Sequence, residues 1–230
     1  MKTTAKRGFS LLFVLVLLIL CAGCGKAAPQ ATSAPAPDGK IDTPAETPAE
    51  VPEAAPAPAG RQDGERFETV IILEGMEETV RYEHIRNEVI GFEMDYDYES
   101  FVRRSEAGYE RFVSVWDDAA NPENYLEVSA STLDAEAAAA AIGETLSQEY
   151  EISRNDSFPL ERAGSCIRID ASEAKGGGWM PDQLQAVYII PAGDGCRIAA
   201  AHYAIEGAEG FGRRFRYLMD TFSVLPVAGA

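Results

Sequence analysis

Four carboxylates alternate along one short segment of the chain: Glu93, Asp95, Asp97 and Glu99. On a strand, alternate side chains share a face about 6–7 Å apart. Hard oxygen ligands at that spacing bind calcium where a loop closes over them, so Asp95 and Asp97 are candidate metal ligands. The same pattern describes the wet face of a surface strand, and no loop with glycine at its sixth place accompanies it. Asp117, Asp118 and Asn121, in the turn after Trp116, form a second oxygen-rich group. A thiol becomes a nucleophile when a base stands beside it, and the pairing that residue types permit is Cys166 with His202. Cys166 with Cys196 is the pairing a disulfide would use. Trp179 follows Gly176-Gly177-Gly178 and precedes Met180-Pro181. That is the setting of a binding residue for a partner or a glycan, or of a loop that folds back and buries its ring. His84, among Tyr82, Glu83 and Arg86, is expected at the surface, and Trp116, at a strand end, in the core. A carboxylate pair for general acid-base hydrolysis is permitted by so acidic a chain without being indicated. No nucleophile elbow, phosphate-cradling loop, metalloprotease helix or zinc-ligand spacing occurs, and no cofactor is expected.

The elements that must position these residues follow from periodicity. Phe67–Leu73 and Thr79–Ile85 read as strands joined near Gly75-Met76, a hairpin. Phe92–Tyr98 alternates, with Phe92, Met94, Tyr96 and Tyr98 on one face and the carboxylates on a wet one. Phe112–Trp116 and Tyr125–Ser129 form a further pair across a turn. Leu133–Tyr150 carries an alanine-rich helical stripe, with Ser131 and Asp134 at its amino cap. Ser165–Ala171, Leu184–Pro191 and Cys196–Ile205 are three more strands, the last two closed by Ala192-Gly193-Asp194-Gly195. Phe211, Phe215, Leu218, Met219 and Phe222 mark a closing amphipathic helix. Strands, helix, strands, helix predicts an α+β domain: an antiparallel sheet with two main helices packed against it. If Cys166 and Cys196 flank one middle strand, they stand about 9.6 Å apart, beyond the roughly 7 Å a disulfide spans. A different strand order would let them bond.

The ends carry separate information. Lys2, Lys6 and Arg7 precede an apolar run from Phe9 to Leu20, followed by Ala22 and Gly23. This is the layout of a secretory signal peptide over residues 1–23, and the run is shorter than the roughly 20 residues a spanning helix needs. The stretch Leu20-Cys21-Ala22-Gly23-Cys24 resembles the bacterial lipobox. That resemblance implies a diacylglycerol on Cys24 and cleavage before it. Two acyl chains, at about 0.8 kcal/mol per buried methylene, hold far better than one. Residues 24–65 are rich in Ala and Pro and read as a tether of polyproline II character, with residues 66–230 as the extracytoplasmic domain. Of 20 basic residues, loss of Lys2, Lys6 and Arg7 leaves 17 against 37 acidic ones, a net charge of −20. That field repels nucleic acid.

The helix, the strand Cys166-Ile167-Arg168-Ile169, the long hairpin and the closing helix ending in Phe222-Ser223-Val224 together resemble the Mog1/PsbP-like fold. Gly91-Phe92-Glu93-Met94-Asp95-Tyr96 is similar to its opening strand. The resemblance covers about residues 90–225 and implies an αβα sandwich of a family made mostly of binding and assembly proteins. The expectation is a lipid-anchored domain on the outer leaflet of a bacterial membrane, noncatalytic, with an extracytoplasmic protein, a cell-wall polymer or a small ligand as partner. A carboxylate-dependent hydrolase and a small solute-binding lipoprotein are the alternatives.

Overall fold

Phe92, Met94 and Tyr96 alternate along one strand, and all three are buried together in the largest core. The computed structural model describes residues 60–175 and 183–226. Strands β1 (Arg66–Leu73) and β2 (Met76–Asn87) form the first hairpin, followed by β3 (Phe92–Asp97). Glu74 and Gly75 make its two-residue turn with φ of 51° and 81°, the left-handed geometry that matches strand twist in such turns. β4 (Phe101–Glu106), β5 (Tyr109–Ser114) and β6 (Tyr125–Ser131) lead into helix α1 (Ala135–Leu146). β7 (Tyr150–Leu160), β8 (Gly164–Ala174), β9 (Gln183–Ala192) and β10 (Gly195–Ala204) precede helix α2 (Ala208–Asp220) and the short β11 (Ser223–Val224).

Among the described residues the strands form two antiparallel sheets. One has four strands in the order β1-β2-β3-β11, the other seven in the order β4-β5-β6-β10-β9-β8-β7. Period two then divides the large sheet's side chains between two cores. Val187, Ile189, Ile198 and Ala200 meet Ala138, Ala139, Ile142 and Leu146 of α1 on one face. Tyr188, Ile190, Ala199 and Ala201 join Phe215, Leu218 and Met219 of α2, with Phe92 and Met94 of the small sheet, on the other. The alanines of α1 bring it close to the sheet. The aromatic stripe of α2 fills the wider space between the sheets, where each fully buried ring contributes about 2 kcal/mol of apolar transfer.

The α+β class and the packing of two helices on antiparallel strands are as the patterning predicts. The single sheet is two, and the differences have local causes. The helix expected over Leu133–Tyr150 is shorter. Asp134 caps it by accepting from the Ala137 N–H at 2.8 Å, and it stops before Tyr150 begins β7. β7 went unseen because it is an edge strand with most side chains in water, so it has no alternation to read. β4 is likewise an edge strand, with only Phe101 of its side chains buried.

Glu110 on β5 has no exposed surface. Arg103 Nε donates to it at 2.6 Å and Ser105 Oγ at 2.6 Å, both from β4, while Asn87 Nδ2 reaches it from β2 at 2.5 Å. Burial opposes its ionisation. The donors from Arg103, Ser105 and Asn87 outweigh burial and hold the carboxyl below the usual range. One carboxylate thus joins the two sheets. Removing only the cation leaves a buried charge unpaired, so Arg103→Met should lose about 3 kcal/mol in denaturant unfolding. The double variant Arg103→Met/Glu110→Met should recover most of that loss. Equal stability of both variants would show that the pair does not act as a unit.

Candidate binding face

α1 covers β8, β9 and the adjoining half of β10, but not β4, β5 and β6. The face left beside it carries a straight cross-strand row. Val102 stands opposite Val113, Val113 opposite Tyr125, Tyr125 opposite His202, and His202 opposite Gln185. Neighbouring strands lie about 4.8 Å apart, so these side chains are immediate neighbours. The Tyr125 and His202 rings stack, with centroids 4.4 Å apart and planes 15° from parallel. Below them Arg111 lies 4.7 Å from the Tyr125 ring centre and 5.0 Å from that of Tyr109. Its Nε donates to Glu127 at 3.1 Å, so the guanidinium is matched by a carboxylate across the strand pair.

The polar ends of Tyr125, His202 and Gln185 make no hydrogen bond to another described residue. Gln185 is only 6% exposed. Its amide atoms still reach solvent, since among the described residues Asp220 Oδ1 is the one sealed side-chain N or O atom without a partner. Burial, with Arg111 adding to it, pushes the His202 imidazole down to about 4. Burial likewise pushes the Tyr125 hydroxyl up to about 12. Near neutral pH all three groups are therefore uncharged, and each offers both a donor and an acceptor.

The residues singled out in the sequence lie elsewhere. Asp95 is 1% exposed. It accepts from Arg162 at 2.6 Å and Arg61 at 3.4 Å, and its Oδ1 lies 2.7 Å from His84 Nδ1. Asp97 accepts from Arg214 at 3.2 Å and from the Glu99 and Ser100 N–H groups. The expected wet face is thus wet only at Glu93 and Glu99. The inner two carboxylates are sealed by cations from α2, the β7–β8 turn and the chain before β1, and their oxygens face guanidinium groups instead of an open cation site. Among the described residues no cluster of three or more His, Cys, Asp or Glu is arranged to hold a metal ion. Asp117 accepts from the Glu123 and Asn124 N–H groups and from the Asn124 side chain, so it braces its own loop.

His84, expected at the surface, is 3% exposed because its ring turns in to Asp95. Trp116, expected in the core, is 64% exposed. It lies past the end of β5, edge-on to Phe211 at 6.1 Å, over a shallow groove of about 470 Å³ that Glu74, Glu206, Glu209 and Arg214 also line. Cys166 and Cys196 are free and buried. They sit on β8 and β10 flanking β9, the arrangement in which they do not bond, and they point into opposite cores. Burial pushes the Cys166 thiol up to about 11, and His202 is on the other face of the sheet, so the thiol has no activating base there. Trp179 and Cys24 lie outside the described residues. Sequence reading singled out His202 only as a base for Cys166 and missed Tyr125 and Gln185. Only the strand register brings these three together.

The His202 environment has a thermodynamic consequence. In the unfolded chain the imidazole takes a proton near pH 6.5, but in the fold only near pH 4. This group's contribution is therefore complete above pH 6.5 and is lost as pH falls towards 4. The groups facing it are Tyr125, Gln185 and the Arg111–Glu127 pair. His202→Gln should make the dependence of unfolding stability on pH shallower between 6.5 and 4, by up to one proton. Superimposable slopes for the two proteins would show that His202 is ordinarily hydrated.

No family model and no curated protein matches the chain. Among solved structures, a crystal structure from Bacteroides thetaiotaomicron VPI-5482 is similar at 14% identity with a TM-score of 0.39, over 60% of this chain and 46% of that one. The chain thus spans less than half the length of that protein.

Proposed function

We propose that this chain is a lipid-anchored, noncatalytic binding protein that presents its domain outside a bacterial membrane and engages its partner through the open face around Tyr125. The observation that carries this reading is the row Tyr125–His202–Gln185, three adjacent polar side chains whose polar ends bond no other described residue. Hydrogen-bonding groups left open on a rigid sheet are arranged to be completed by something else. The strand ladders fix their spacing before the partner arrives, which lowers the ordering cost of binding. The placement outside a membrane rests on the signal-like residues 1–23 and the lipobox-like Ala22-Gly23-Cys24. Residues 24–65 would then give the domain reach towards a wall polymer or a protein beyond the bilayer. The element order from α1 to β11 supports a kinship with the Mog1/PsbP-like binding and assembly proteins.

Two measurements test the parts separately. Expressed in a bacterium with lipoprotein processing, the chain should fractionate with membranes and carry a diacylglyceryl mass on Cys24. Cys24→Ala should release it. An intact amino end with Met1 attached and no membrane association would overturn the anchor. In retention on isolated cell envelopes, the double variant Tyr125→Ala/His202→Ala should lose at least tenfold in affinity. Retention equal to that of the natural chain would remove the open face from the function.

A further inference from the structure

We propose that the groove beside Trp116 is a second docking site, which takes a lysine or arginine side chain from an extended basic segment of a partner protein. It lies at the amino end of α2, apart from the face around Tyr125, and does not depend on that face. Trp116 is 64% exposed and stands edge-on to Phe211 at 6.1 Å. Phe211 packs in turn on Phe215, with ring centres 5.9 Å apart. An aromatic row that starts in the core thus ends in an indole open to water. That ring leaves apolar area in water that a partner's side chain would cover.

Charge selects the partner. Glu74, Glu206 and Glu209 line the groove of about 470 Å³. Among the described residues none of these three carboxylates is bonded to a cation or a donor. Arg214, the one cation in the lining, lies 5.8 Å from the centre of the Trp116 ring. It is already matched by Glu78 at 2.7 Å and Asp97 at 3.2 Å. The groove therefore joins an exposed indole to an excess of negative charge, the surroundings that a cation on an alkyl stem prefers. Glu209 also suits the first turn of α2, but Glu74 comes from the β1–β2 turn, a separate element. Gly210, which also lines the groove, gives an independent sign of a bound group. It lies within α2, where glycine weakens a helix relative to alanine. Its backbone is not left-handed, and a Cβ built there would meet nothing within 4 Å. The fold itself thus does not need glycine at this position. What the missing side chain provides is clearance in the groove wall for an incoming chain. The groove is shallow, and its carboxylates come from three chain positions. That suits a side chain presented by an extended segment better than an enclosed small ammonium.

The test uses the full processed chain, in detergent micelles if it is lipidated, with Trp179→Phe so that Trp116 is its only tryptophan. Emission from Trp116 is followed as hexalysine is added at about 0.15 M salt, where charges more than about 8 Å away are largely screened. The emission should change saturably, and an uncharged hexapeptide should leave it unchanged. Glu74→Gln/Glu206→Gln/Glu209→Gln should weaken binding tenfold or more. Glu151→Gln/Glu161→Gln/Glu173→Gln removes the same charge from β7, β8 and their turn, at the end of the large sheet away from β5. It should change binding less than twofold. Gly210→Gln should fold as the natural chain does and weaken binding at least fivefold. Tyr125→Ala/His202→Ala should bind hexalysine within twofold of the natural chain, which keeps failure of one face distinguishable from failure of the other. No saturable change, equal losses in the two triple variants, or full binding by Gly210→Gln would overturn the proposal. Saturation by tetramethylammonium at the same concentrations would also overturn it and assign the groove to a small ammonium instead.

Discussion

A helix of 12 residues is about 18 Å long, and a seven-stranded sheet is about 29 Å across. That mismatch governs the architecture. α1 has enough apolar surface for β8, β9 and half of β10, and no other described helix reaches that face. The opposite face has no such shortage, because α2 and the small sheet cover it together. Beyond α1 the exposure of the face that α1 packs on is mixed, with Val113 and Gln185 buried and Val102 exposed. Arg104, Arg111, Glu127 and Ser129 lie on that side and alternate with Phe112, Leu126 and Val128, which are buried on the other.

The covered side faces a different problem, that of burying charge. Two sheets with a helix between them do not close on apolar residues alone here. Asp95, Asp97 and Glu110 all lie within 4% exposure. Desolvating a carboxylate costs several kcal/mol, which only close cations and further donors offset. Each of the three has them: Arg162 and His84 for Asp95, Arg214 and Ser100 for Asp97, Arg103 and Asn87 for Glu110. The partners come from different elements. Asp95 draws on the β7–β8 turn, Asp97 on α2 and Glu110 on both sheets, so these groups specify the arrangement more than they strengthen it. Tyr217 acts in the same sense at the edge of β1. Its hydroxyl accepts from the Ile72 N–H at 3.0 Å and donates to the Ile72 carbonyl at 3.1 Å, occupying one position where a further strand could add.

What could be read in the sequence divides along the same line. Core strands such as β3, β9 and β10, and the aromatic stripe of α2, announce themselves because one face or both must be apolar. Edge strands β4 and β7 do not, since water accepts any polar residue there. The carboxylates of β3 were legible as a pattern but not as buried groups. Their burial depends on Arg162 and Arg214, which are far away in the chain. His84 and Trp116 were misplaced for a related reason. Local sequence carries propensity, while exposure depends on which distant side chain arrives to cover or to pair. The candidate site is the extreme case, because Tyr125, His202 and Gln185 come from three strands and only register makes them neighbours.

Two sets of inward-lying polar groups can now be set against each other. Around Asp95 every oxygen has a cation or donor, and the chain has drawn residues from 34 to 67 positions away to supply them. Around Gln185 no described side chain is supplied, and its amide instead reaches solvent. The fold thus sets an amide, a neutral imidazole and a phenol side by side beyond the residues that α1 covers. Solvent at these polar ends meets the need that Arg162, Arg61 and His84 meet for Asp95.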